Sequence, residues 1–126
     1  MKVLKIMTLS LISLGLIFSA AFAAKHDLAE KGKALFDDPK AFGGSTSCSS
    51  CHPDGKGLEN VAGKTSWMTP AGPAKTLEEA INLCVVNANK GKALDVKSAE
   101  MKEVVAYLKS LGKKSGKEMP KKSSGY

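Results

Sequence analysis

Apolar residues recur at helical spacing in a stretch that begins after Thr76. Thr76 and Glu79 form a capping box, an arrangement that begins many helices. The apolar positions that follow are three or four apart and therefore share one helix face. They are Leu77, Ile81, Cys84 and Ala88. We expect Gly91 to end this helix, because glycine readily takes the left-handed conformation common at helix ends.

A second apolar stripe predicts a helix from about Lys97 to Leu111, which we expect Gly112 to cap. Its apolar face consists of Met101, Val104, Val105, Leu108 and Leu111. From Lys113 to Tyr126 the sequence is mostly Lys, Ser, Gly and Pro, and Met119 is an isolated apolar residue. Because this segment has too few apolar side chains to form a core, we expect a disordered basic tail.

An earlier helix is predicted to begin at Asp27, with Glu30 three residues later in a capping-box arrangement. Its inward side chains are expected to be Leu28, Leu35 and Phe36. Asp37-Asp38-Pro39 should end it, since proline disfavours helix in the residue before it. Residues 53–73 form a long segment rich in Gly, Pro, Ser and Lys, and such loops often wrap around something. No strand pattern of any length competes, so the prediction is an all-α fold with three main helices.

The first 23 residues resemble a secretory signal peptide. Lys2 and Lys5 precede an apolar run, residues 6–18, and Ala21-Phe22-Ala23 fits a small-residue cleavage site. The alternative is an uncleaved membrane anchor, but the run falls short of the roughly 20 residues that a span needs. We therefore expect an exported, periplasmic protein with no stable span after cleavage. The predicted organisation is residues 1–23 as signal peptide, 24–112 as one domain and 113–126 as tail.

The chain is basic, with a formal net charge of +7, and it contains no arginine. Cleavage would remove Lys2 and Lys5 and leave 17 lysines against 12 acidic residues, a net charge of about +5. Nucleic-acid binding does not fit an exported chain that lacks arginine interleaved with aromatic residues. The lysines either keep the surface solvated or steer the protein towards acidic redox partners.

Cys48-Ser49-Ser50-Cys51-His52 carries the chemistry of this chain. In a C-x-x-C-H sequence both thiols reach the vinyl groups of one porphyrin, and the histidine that follows binds the iron. The alternatives are a redox-active cysteine pair, which does not need the histidine, or a zinc site. A structural zinc site needs four ligands, and only Cys84 and His26 remain to complete it. The motif therefore predicts one covalent haem c, held by Cys48 and Cys51, with His52 as an axial ligand.

Together with this motif, Gly32, Phe36 and Tyr107 resemble the pattern of class I cytochromes c. That resemblance implies a cytochrome c fold in which the first and last helices cross near the glycine and the aromatic residues. The second half of the chain is more particular. Four of its segments resemble the first haem domain of periplasmic thiosulfate dehydrogenases and related sulfur-oxidising cytochromes. They are Leu77–Cys84, Gly91–Leu94, Ser98–Met101 and Tyr107-Leu108. The resemblance implies that Cys84 is the second axial ligand of the haem iron.

From the residues alone, the second axial ligand stays open. Haem iron can carry methionine, histidine, cysteine or no protein ligand opposite the first histidine. Met68 lies in the long loop, where a ligand is plausible, whereas Met101 has the spacing of a core residue. Cys84 lies on the inward face of its helix, and His26 precedes the first predicted helix. The choice matters because a thiolate stabilises ferric iron, whereas a methionine sulfur favours ferrous iron.

Three functions are compatible with a single haem in such a chain. The first is one-electron transfer between periplasmic partners, with no catalytic residues. The second is an oxidoreductase for a sulfur compound, or a subunit of one, with Cys84 working at the iron. The third is a sensor of small gases, which needs an open sixth position on the iron. A single haem motif and the lack of arginine to hold an anionic substrate favour the electron carrier.

Overall fold

The computed structural model describes residues 23–115. Most of the predicted signal peptide and the predicted tail after residue 115 lie outside the described residues. Among the residues described, no helix has the length and apolar character needed to cross a membrane.

Within residues 23–115 the main elements are three α-helices and one small hairpin. The described part of α1 covers residues 23–37, α2 covers Leu77–Asn87 and α3 covers Ala99–Ser115. Three single-turn 3₁₀ helices lie between α1 and the hairpin, at Cys48–Ser50, Pro53–Gly55 and Val61–Gly63. The hairpin consists of β1, Trp67–Thr69, and β2, Gly72–Ala74.

The hairpin adds a small sheet to the three predicted helices, so the fold is mostly rather than entirely helical. β1 and β2 are antiparallel, and Trp67 pairs with Ala74 in their register. The turn is closed by Thr69, whose hydroxyl donates to the Gly72 carbonyl at 2.8 Å, while Gly72 has a φ of 127°. Strands of three residues are too short to show an alternating pattern, so the sequence did not reveal them.

The starts of α2 and α3 lie close to their predicted positions. Thr76 caps α2 by accepting a hydrogen bond from the Glu79 amide at 3.1 Å. Ser98 caps α3 in the same way, with its hydroxyl accepting from the Met101 amide at 3.1 Å. α1 differs, since it is already helical at residue 23. Asp27 therefore does not cap it, and its carboxylate instead pairs with Lys31 one turn later.

Neither glycine that was expected to end a helix does so. α2 ends at Asn87, and the left-handed residue beyond it is Lys90, with a φ of 60°. α3 continues through Gly112 to Ser115, so residues 113–115 of the predicted tail are helical. Both glycines permit close approach instead. A Cβ on Gly91 would lie 2.7 Å from the Phe42 carbonyl oxygen, and one on Gly112 would lie 2.8 Å from that of Glu59.

The first and last helices meet as the resemblance to cytochromes c implied. A Cβ on Gly32 would collide with the backbone of Glu103, so only glycine allows α1 to lie this close to α3. Beside this point the rings of Phe36 and Tyr107 pack with centroids 5.1 Å apart. Leu28, expected to face inward, is instead exposed. The core formed by the three helices and the loop before the motif contains Phe36, Phe42, Leu77, Ile81, Val85, Met101, Val104, Val105, Tyr107, Leu108 and Leu111.

Candidate functional site

The cysteine motif folds into a tight turn on which its three chemically active side chains differ in exposure. The amides of Cys51 and His52 both donate to the Cys48 carbonyl, at 3.3 and 3.0 Å. Before the turn, the buried Ser47 hydroxyl lies 2.9 Å from the hydroxyls of both Ser49 and Ser50. Cys48 and His52 are half-buried, whereas Cys51 is exposed. The turn thus has an inner cysteine and an outer one.

His52 is oriented by the segment that follows it. Its Nδ1 lies 3.1 Å from the Lys56 carbonyl oxygen. Because a carbonyl can only accept, Nδ1 carries the proton and donates, which leaves the Nε2 lone pair free. A backbone carbonyl that accepts from the other ring nitrogen commonly fixes the tautomer and ring orientation of a metal-binding histidine.

An apolar cavity of about 330 Å³ lies beside this turn. Its lining includes Cys48 and His52 from the motif, Met68 from the hairpin and Cys84 from α2. Most of the remaining wall is hydrophobic and includes Phe36, Leu58, Trp67, Ile81, Val104 and Leu108. Lys64 is the one charged residue of the described lining. The cavity thus unites side chains that lie far apart in the sequence.

The long segment after the motif forms one wall of the cavity, as its composition suggested. Trp67 is held there because its indole Nε1 donates to the Val61 carbonyl at 2.8 Å. Met68 also lines the cavity but is 82% exposed. The hairpin thus holds an aromatic side chain in place and leaves the neighbouring methionine largely in solvent.

The remaining candidate ligands lie elsewhere. Met101 is only 1% exposed and belongs to the core, and it is not among the residues that line this cavity. His26 lies on the exposed side of α1, where its Nδ1 is 3.3 Å from a carboxylate oxygen of Glu30. Cys51 also stays outside the lining, at the surface of the turn.

Cys84 faces two spaces. Besides the apolar cavity, it lines a smaller adjoining cleft of about 270 Å³, between the hairpin turn and the last turns of α2. Burial raises the pKa of the Cys84 thiol above its ordinary value, and Cys51 raises it further. The raised pKa keeps the side chain a neutral thiol near pH 7, and a nearby cation would favour the thiolate.

Two asparagines, one in α2 and one just after it, form side-chain hydrogen bonds whose partners sequence reasoning did not predict, and the second contacts the motif. Asn82 on α2 clamps the backbone of Leu94, donating to its carbonyl at 2.9 Å and accepting from its amide at 2.8 Å. Asn89 is 5% exposed and donates from Nδ2 to the Cys48 sulfur at 3.3 Å. The available signal was their polarity within and directly after an apolar helix, but it does not identify their partners.

The residues present fit a covalently attached haem. Cys48 and His52 line a largely apolar cavity, and Cys51 lies three residues after Cys48 on the same turn, at the spacing that the two vinyl groups need. The zinc alternative lacks its ligands, because among residues 23–115 no group of three or more His, Cys, Asp or Glu is arranged to hold a metal ion. When bound, a haem would supply one-electron chemistry at its iron.

A C-x-x-C-H turn packed beside an apolar cavity, in a fold whose terminal helices cross at a glycine, defines a c-type cytochrome domain. The sequence also matches the family described as the SoxA/TsdA cytochrome c domain over residues 31–116, more than half of the chain. The chain belongs to this family, which confirms the resemblance to the sulfur-oxidising cytochromes. Searches among curated proteins and among solved structures gave no match. Membership implies covalently bound haem c and a role in electron transfer.

Proposed function

We propose that this chain is an exported electron carrier with a single haem, attached through Cys48 and Cys51 and bound at its iron by His52. The observation that carries the proposal is the apolar cavity in which Cys48, His52 and Cys84 meet. The apolar wall would keep water from a bound haem, and the Lys56 carbonyl would leave His52 Nε2 available to hold its iron. No protein group beyond the haem is required to change oxidation state.

Attachment at the two cysteines needs no oxidant. In each case the S–H bond adds across a vinyl double bond, so that sulfur bonds to one carbon and the proton goes to the other. Cys48 would make the inner bond and the exposed Cys51 the outer one. The outer bond would then leave one edge of the haem close to solvent, where a partner can exchange electrons.

We propose Cys84 as the second axial ligand. Its support is its place in the lining of the same cavity as His52, together with its position in the segment that resembles a thiolate-donating one. Met101 is buried away from that lining, and Met68 is mostly in solvent, so both are less suited to bind iron. A thiolate at this position would stabilise the ferric state and give a low reduction potential.

Export and an acidic redox partner complete the proposal. The support for export is the signal-peptide pattern of residues 1–23, and that for the partner is the excess of lysine in the mature chain. Lysines spread over the surface attract an acidic protein without specifying it, since their effect is mainly on the rate of encounter.

Mass spectrometry of the protein purified from a periplasmic extract tests the proposal. The mass should equal the peptide from Ala24 plus one haem, and acid–acetone extraction should leave the haem on the polypeptide. A double variant, Cys48→Ser with Cys51→Ser, should lose the haem, while Cys84→Ser should keep it. Haem that extracts freely from the matured wild-type protein would contradict covalent attachment.

A second candidate function is oxidation of a sulfur compound, or a subunit role in such an enzyme. The cleft beside Cys84 favours it, because a small molecule could reach this residue from outside the haem cavity. The described lining of that cleft carries no charged side chain, which does not favour an anion such as thiosulfate. Thiosulfate with ferricyanide as electron acceptor separates the two functions: sustained turnover indicates the enzyme, and its absence indicates the carrier.

A further inference from the structure

Asn89 is one of two polar residues that the described fold buries, and its side chain contacts the attachment motif. It lies two residues beyond the end of α2, and its amide nitrogen Nδ2 is 3.3 Å from the Cys48 sulfur. A buried amide needs a hydrogen-bond partner. Here that partner is a cysteine of the haem motif, which lies 41 positions earlier in the sequence.

The backbone of Asn89 is fixed from two sides. Its N–H donates to the Cys84 carbonyl at 3.1 Å, and its carbonyl accepts from the Ser45 amide at 3.0 Å. Gly44 makes this approach possible, because a Cβ there would collide with the Asn89 carbonyl. Asn89 therefore connects the helix end that carries Cys84 with the loop that carries Cys48.

The two motif cysteines differ in this respect. Cys48 is half-buried and receives the Asn89 hydrogen bond, whereas Cys51 is exposed and no described side chain donates to it. A thioether sulfur keeps its lone pairs after the thiol has added to a vinyl group. An N–H donor can therefore stay in contact with the Cys48 sulfur in the mature protein, which a carbonyl or carboxylate could not do.

We propose that Asn89 is a positioning residue for the haem, holding the Cys48 thioether against the end of α2 and drawing electron density from its sulfur. This rests on the proposed attachment of haem at Cys48. The rigid link keeps Cys48 and Cys84 at a constant separation. The positive end of the N–H dipole also disfavours the ferric charge, so Asn89 raises the reduction potential.

Asn89→Leu tests the proposal, since it keeps the volume and removes the donor. Asn60→Leu is the matched control, because Asn60 is exposed, makes no side-chain cap hydrogen bond and lines neither the apolar cavity nor the cleft beside Cys84. With covalent haem present in the wild type, Asn89→Leu should lower the potential and shift the C–S stretching band in resonance Raman spectra. The control should change neither. A wild type without covalent haem overturns the proposed function, whereas an unmoved potential and band in haem-loaded Asn89→Leu overturn only the role of Asn89.

A double-mutant cycle tests whether Asn89 changes the reduction potential through the Cys48 sulfur. In a Cys48→Ala background, where haem remains attached through Cys51, Asn89→Leu should no longer lower the potential. The same lowering in that background would overturn the proposal, because the effect would then not pass through Cys48.

A measurement on the unchanged protein applies if the variants fail to fold. In nuclear magnetic resonance spectra of the ferrous holoprotein, the Asn89 side-chain amide protons should exchange with solvent more slowly than those of exposed Asn60. Equal exchange rates would overturn the hydrogen bond to Cys48 and with it the proposal.

Discussion

Cys84 and Met101 both face the interior, but they have different neighbours. Met101 is surrounded by core side chains, whereas half-buried Cys84 lines the cavity that also contains His52. A side chain that binds iron must line the cavity, and a buried side chain does not always do so. Substitution at each position should therefore affect a different property of the protein.

Cys84→Ala should change the ferric absorption spectrum and raise the reduction potential. The reason is that removal of a thiolate ligand removes an anionic charge that stabilises ferric iron. Absorption and electron paramagnetic resonance spectra of the purified variant provide the measurement. If the ferric spectrum stays unchanged and only packing is lost, at a cost of about 1 kcal/mol, Cys84 is not the ligand.

Met101→Ala should lower the free energy of unfolding by about 2–5 kcal/mol, because it leaves a cavity in a closely packed core. The haem spectrum of the folded variant should stay that of the wild type. Thermal or denaturant unfolding followed at the haem band gives both quantities. Met68→Ala is the control, since a side chain that is 82% exposed should cost little stability. Loss of a methionine–iron band in either variant would identify that methionine as the ligand.

At this scale the sequence was informative where neighbouring residues act together. The C-x-x-C-H spacing predicted the turn chemistry directly, because all its residues lie within five positions. Asn82 and Asn89 were not predicted, because their partners Leu94 and Cys48 come next to them only in the folded chain. An asparagine looks the same in a sequence whether its amide contacts solvent or the sulfur of a motif cysteine.

Among the secondary-structure elements, the helices were predictable and their ends less so. Capping side chains such as Thr76 act within one turn, so their effect can be read from neighbouring residues. Gly91 and Gly112 gave wrong helix ends. A glycine is used either for left-handed backbone or for close approach of another segment, and only the contacts in the folded chain distinguish the two uses. The hairpin was missed because each strand has three residues.

Gly112→Ala should destabilise the protein even though alanine favours helix by about 1 kcal/mol. The added Cβ would lie 2.8 Å from the Glu59 carbonyl oxygen, so α3 or the loop that contains Glu59 has to shift. Gly63→Ala is a matched control, because no atom lies within 4 Å of its added Cβ. Chemical denaturation of both variants measures the difference. A Gly112→Ala variant more stable than wild type would show that the contact is loose.

For the whole molecule, charge affects the rate at which other charged molecules approach more than it affects the stability of the fold. The chain has a formal net charge of +7, and apart from two histidines its basic side chains are all lysines. Exposed ion pairs such as that between Asp27 and Lys31 contribute little to stability, because solvent screens them. The net charge, in contrast, acts on any charged molecule that approaches the haem.

Electron exchange with small reagents should therefore depend on salt in opposite directions. Reduction of hexacyanoferrate(III), an anion, should slow as ionic strength rises, since the screening length falls to about 8 Å at 0.15 M. Reduction of hexaammineruthenium(III), a cation, should become faster under the same conditions. Stopped-flow absorption at the haem band measures both rates. Rates that ignore salt for both reagents would show that the lysines only keep the surface solvated.

The crossing of α1 and α3 at Gly32 affects the order in which parts of the chain fold. The two helices lie at opposite ends of the described chain, with the cysteine motif between them. A chain made from its amino end presents Cys48 and Cys51 before α3 exists, so the crossing forms only after the motif has been made. Contacts between distant segments also form slowly. The order of the chain therefore gives the motif an interval before α1 and α3 meet.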